Sequence, residues 1–73
     1  MDVVINGIYK HKKGNMYIVQ DIATHSETLE KMVVYRALYG DSKLWVRPYN
    51  EFVDGRFQYV VIEDKRLNID KKW

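Results

Sequence analysis

The sequence predicts an all-β domain: a small, open, SH3-like barrel of about five antiparallel strands, with a possible short 3₁₀ turn after the fourth. Three observations lead there. Turn signals recur every ten to fifteen residues along the chain, close to the spacing of sandwiches and barrels. Between them lie short runs rich in β-branched and aromatic residues, which suit a pleated, half-buried surface. Phe, Trp and Tyr make up 14% of the 73 residues, and rings supply much of the core where a chain is too short to bury many aliphatic side chains.

The first strand, about 7–12, carries "GIYKH" and ends at "KKGN", where Gly14 can take the positive φ that a tight hairpin needs. "MYIVQDIA" is the second strand, about 16–24. The third, about 31–39, contains "MVVYRAL". Residues 28–39 also fit a helix, with Ser26 as cap and Gly40 past the end, but Val33-Val34-Tyr35 weighs towards strand. "YGDSK" leads into the fourth strand, about 43–48, which Pro48 ends by removing a ladder donor. "YNEF" then makes the short turn, and "VDGR" reads as a type I′ pair, Asp54-Gly55, before a fifth strand at about 56–62. This reading assigns 1–64 to one barrel domain and 65–73 to a polar, flexible C-terminal tail. The expected core is Ile8, Val19, Ile22, Val33, Leu38, Leu44, Val46, Phe52, Tyr59 and Val61.

Composition narrows the functional classes. A core of this size supplies only ~3–5 kcal/mol net. With no cysteine, disulfides and thiolate zinc sites are excluded, which leaves aromatic packing or a homodimer as support. The same absence fits a reducing cytoplasm. No apolar run is long enough to span a membrane, and the N-terminus does not resemble a signal peptide. Twelve basic residues against ten acidic give a net charge of +2, so a nucleic-acid reading must rest on a local patch.

Catalysis and metal binding are disfavoured. His25 and Ser26 are neighbours, so an extended backbone points them to opposite sides, and "HSET" reads as a hydrogen-bonded turn. A metal would have to recruit both His11 and His25 with Glu27, Glu30 or Asp41, without the spacing that brings ligands together on a helix. Glu27 and Glu30 lie in a polar turn that should stay wet, so they do not make an acid–base pair. No catalytic residue, metal ligand or cofactor is therefore assigned.

Two surfaces remain as candidates. On the fourth strand, alternation makes Leu44 and Val46 core and turns Trp45 and Arg47 outward, beside Arg36 or Tyr39. An exposed tryptophan flanked by arginines suits a protein or peptide ligand, the ring packing a side chain while the guanidinium forks onto an anion. The alternative is a nucleic-acid patch of Lys10, Lys12 and Lys13 with Tyr9 and Tyr17. Lysines on an edge hairpin equally serve to prevent strand-to-strand association.

"GIYKHKKGNMYIV", "HSETLEKMVVYRALYGDSKLWVRP" and "NEF", taken in order over roughly residues 7–53, resemble the small bacterial family catalogued as domain of unknown function 1653. The ordered "HSET", "VVYRALYG" and "LWVRP" carry the resemblance. The family pattern has a proline where this chain has Lys31, which again disfavours a helix there. The resemblance implies a compact, β-rich bacterial domain and no particular activity.

Overall fold

The computed structural model describes residues 2–60, so the expected tail at 65–73 and the expected core residue Val61 lie outside the described residues. Five strands, β1 (Ile8–His11), β2 (Met16–Thr24), β3 (Lys31–Ala37), β4 (Leu44–Pro48) and β5 (Phe57–Tyr59), form one antiparallel sheet in the order β4-β3-β2-β1-β5. Pro48 closes β4 and leads into α1, the four-residue turn Tyr49–Phe52. The helical alternative for 28–39 fails, because Lys31–Ala37 pairs with strands on both sides. The sheet is open, and it curls so that Arg47 of β4 reaches the ring of Phe57 on β5.

Cross-strand pairing decides which side chains meet, since directly opposed residues share a face. Val19 opposes Tyr35, which opposes Trp45, while Val33 opposes Arg47. Tyr9 opposes both Tyr17 and Tyr59. These residues all line the concave face. A register shift between Val19 and Asp21 leaves Gln20 as the extra residue, and beyond it Ile22 opposes Val33. This bulge resets the alternation, which is why Val19 and Ile22 both turn inward despite an odd separation.

The core on that face is mostly aromatic. Tyr9, Val19, Val33, Tyr35, Phe52 and Phe57 form one buried cluster, against which Val3, Tyr17, Ile22 and Tyr49 pack. α1 delivers Phe52, which stacks on Phe57 at 4.2 Å between centroids and meets Tyr9 and Tyr35 edge-on. Edge-on and stacked contacts of this kind add about 0.5–1.5 kcal/mol per pair beyond area burial. The N-terminal segment is tied to the same cluster, with Val3 N–H donating to Tyr49 Oη and Val4 N–H to Tyr9 Oη. Gly7 permits that crossing: a Cβ there would sit 2.8 Å from the Val4 carbonyl oxygen.

Several expected core residues fall elsewhere. Val19, Val33 and Phe52 are buried and Ile22 packs against the core, while Ile8 is only half-buried. Leu38, Leu44, Val46 and Tyr59 are exposed. On β4 the expected parity is inverted. The register places Leu44 opposite Arg36 and Val46 opposite Val34, on the convex face that nothing among the described residues covers. Alternation defines two faces but does not say which is concave, and β4 has apolar residues on both.

The expected type I′ turn at Asp54-Gly55 is also corrected. Gly55 has φ +109, but Asp54 is not among the positive-φ residues, and a type I′ turn requires both. Asp54 instead accepts the Arg56 N–H on Oδ1 and pairs with its guanidinium at 3.0 Å. The segment links α1 to β5 rather than two paired strands, so hairpin geometry is not imposed on it.

Candidate functional site

Because the strands are antiparallel, the β1–β2 turn, the β3–β4 loop and the start of β5 all lie at one end of the sheet. There the concave face changes character. Across Tyr9, Val33, Tyr35 and Phe57 it is sealed by Phe52; beside the β3–β4 loop it is uncovered. Ala37, buried and small, opposes Tyr17 and leaves a depression beside it. The result is a hollow of about 290 Å³ bounded by Ala37, Tyr39, Gly40, Asp41, Lys43 and Trp45.

Trp45 is 46% and Tyr39 43% exposed. The Trp45 side chain makes no hydrogen bond among the described residues, so its indole N–H is available as a donor. Tyr39 is held in place: its hydroxyl meets that of Tyr17 at 2.9 Å, and the two rings pack edge-on at 5.6 Å. Burial, then the hydrogen bond to Tyr39, pushes the Tyr17 phenol up to about 12 from an ordinary 10.0. The Tyr17 phenol therefore stays neutral at physiological pH.

Of the sequence-predicted binding residues, the structure brings Trp45 and Tyr39 together at this hollow. Arg47 shares their face but points deeper. Its Nε donates to Tyr35 Oη at 3.2 Å, and its guanidinium lies 5.4 Å from the Phe57 ring centre. Arg36 belongs to the opposite face. Its Nη1 donates to the Ser42 carbonyl at 2.7 Å, bracing a loop in which Gly40 and Ser42 both have positive φ. Arg36 thus positions Asp41 and Lys43 at the rim without reaching the hollow. Gly40, Asp41 and Lys43 join the site through this loop, which the sequence marks only as a turn.

The second candidate patch is divided. Lys10, Lys12 and Lys13 are exposed, but Tyr9 is only 6% exposed and Tyr17 is engaged with Tyr39. The two rings expected to stack bases belong to the concave packing instead.

The "HSET" turn is built by hydrogen bonds within itself. His25 Nδ1 accepts from the Glu27 and Thr28 N–H groups, and Thr28 Oγ1 accepts from Glu30 N–H. The sequence assigns the turn's local bonding to Ser26 and Thr28; the structure gives Thr28 that role beside His25. Among the described residues no group of three or more His, Cys, Asp or Glu side chains could hold a metal, and no helix is long and apolar enough to cross a membrane.

Neither a curated protein nor a solved structure matches the chain. The family described as "Protein of unknown function (DUF1653)" matches residues 7–66, which take in β1 to β5 and the hollow, and the chain belongs to that family.

Proposed function

We propose that this domain is a non-catalytic binding module that takes a protein or peptide segment in the hollow between Tyr39 and Trp45. The supporting observation is two half-exposed rings flanking a depression with a small buried floor, Ala37, and opposite charges at its rim, Asp41 and Lys43. Exposed rings on a rigid sheet offer large contact area at low entropic cost. An unpaired indole donor beside them suits a backbone carbonyl of an extended ligand. The mixed rim disfavours a strongly charged ligand of either sign. On its cysteine-free composition, we place the module in a reducing cytoplasm.

The test is a peptide-library selection followed by amide NMR mapping with the selected peptide. Shifts confined to Ala37–Trp45, lost in Trp45→Ala, are expected. Shifts centred elsewhere would remove this reading.

A further inference from the structure

A second concavity lies at the same end of the sheet, on the β1–β5 side, and the module reading does not use it. It measures about 250 Å³ and is lined by Lys10, His11, Lys12, Gly55, Arg56 and Gln58. Neither Lys10 nor Lys12 has an ion-pair partner among the described residues. Arg56 is paired with Asp54, so three cations less one carboxylate leave a formal +2. A phosphomonoester carries about −1.5 to −2 at neutral pH, whereas a carboxylate or a backbone phosphodiester carries one charge.

His11 borders the concavity, with its ring turned to the opposite face of β1 from Lys10. Its Nδ1 accepts the Lys13 N–H at 3.1 Å, so the proton of the neutral ring sits on Nε2 and makes it a donor. The ring is held edge-on against Phe57 at 4.9 Å. The Gln58 amide adds a further possible donor. A polynucleotide would also need rings to stack its bases; Tyr9 and Phe57 are 6% and 9% exposed, and Tyr59, though 43% exposed, shares the face of Tyr9 and not that of Lys10 and Gln58. The concavity therefore favours a single terminal phosphate over a strand.

We propose that Lys10, Lys12 and Arg56, with the Gln58 amide, form a binding site for the phosphate group of a phosphomonoester or of free phosphate, with His11 beside it as a reporter of the bound charge. The charges facing His11 come from several elements: Lys12 and Lys13 in the β1–β2 turn, Arg47 on β4, and Arg56 before β5. Partial burial first, then Arg47, Lys13, Lys12 and Arg56 in that order, hold the imidazole below its ordinary 6.5. Asp54 is the carboxylate bonded to Arg56. A bound anion would offset this repulsion and raise the midpoint, which gives a readout specific to the site.

The experiment follows the two histidines by NMR across pH, with inorganic phosphate, a sugar phosphate or a short single-stranded oligonucleotide, each against chloride at matched ionic strength. Phosphate or sugar phosphate should raise the His11 midpoint by about one pH unit, while His25 stays in place. Arg56→Gln and Lys12→Gln should each weaken the response about tenfold, and Trp45→Ala should leave it intact. Lys12 lies in an exposed turn, so its variant tests the site even if Arg56→Gln disturbs the fold. A tighter response to sugar phosphate identifies an organic ligand, and equal responses identify phosphate itself; both support the site. A His11 midpoint unmoved by either, or moved by the oligonucleotide alone, overturns it.

Discussion

The two halves of the concave face are built from the same kind of residue and come to opposite ends. Across the middle of the sheet, Tyr9, Tyr35 and Phe57 are buried because α1 folds back and lays Phe52 on them. Beside the β3–β4 loop, Tyr39 and Trp45 stand on the same surface beyond Phe52, and nearly half of each remains exposed. The difference lies in cover, not in residue type. An aromatic side chain stabilises the fold where a second layer meets it and is free for recognition where none does.

That contrast can be broken most directly at its sealed end. Phe52→Ala should cost about 3–5 kcal/mol, comparable to the whole net stability of so small a domain. Loss of the cooperative urea transition would show it; a variant that stays folded would mean the stack matters less than its geometry suggests. At the open end, Trp45→Ala removes only a partly buried ring. It should destabilise by about 1–2 kcal/mol while abolishing peptide capture, so stability and binding separate there and not at Phe52.

The boundary between the halves runs through Tyr35 and Tyr17. Tyr35→Phe deletes the acceptor for Arg47 Nε and should cost about 1 kcal/mol in chemical denaturation. Tyr17 tests the same seam by pH. Its folded-state pKa of about 12 lies above the ordinary 10.0, so the neutral phenol favours the native state. That contribution is fully present below pH 10 and is lost as pH rises towards 12. Tyr39→Phe should bring Tyr17 ionisation to lower pH in an ultraviolet titration; an unchanged curve would show that burial alone holds it.

The smallest effects belong to the convex face. Leu44→Thr and Val46→Thr should each change stability by no more than about 0.5 kcal/mol, because both side chains are more than half exposed. A larger loss, or one that depends on protein concentration, would mean that a second copy covers this face.

How much of this was legible in the sequence differs by feature. The strands were, because Val33-Val34-Tyr35, the glycine-marked turns at Gly14 and Gly40 and the stop at Pro48 are local signals that the backbone obeys wherever it lies. The exposure of Trp45 is not fixed by the sequence, where alternation turns the ring outward but a tryptophan can equally lid an open barrel end. In the structure it opposes Tyr35 and so lies on the core's own face, next to the β3–β4 loop. The phosphate-site residues Arg56 and Gln58 are remote in sequence from Lys10 and Lys12, and only the β1–β5 pairing joins them.

The sequence by itself determined the all-β class, the succession of five strands along the chain, the exclusion of cysteine chemistry and the family to which the chain belongs. Those follow from propensity, turn chemistry and composition, which act over a few residues. Tertiary structure decided which face became concave, that Gln20 would bulge so Ile22 could turn inward, and that Phe52 would cover one half of the aromatic face and not the other. Such choices depend on register and curl between distant strands, and a period of two cannot encode the side towards which a sheet bends.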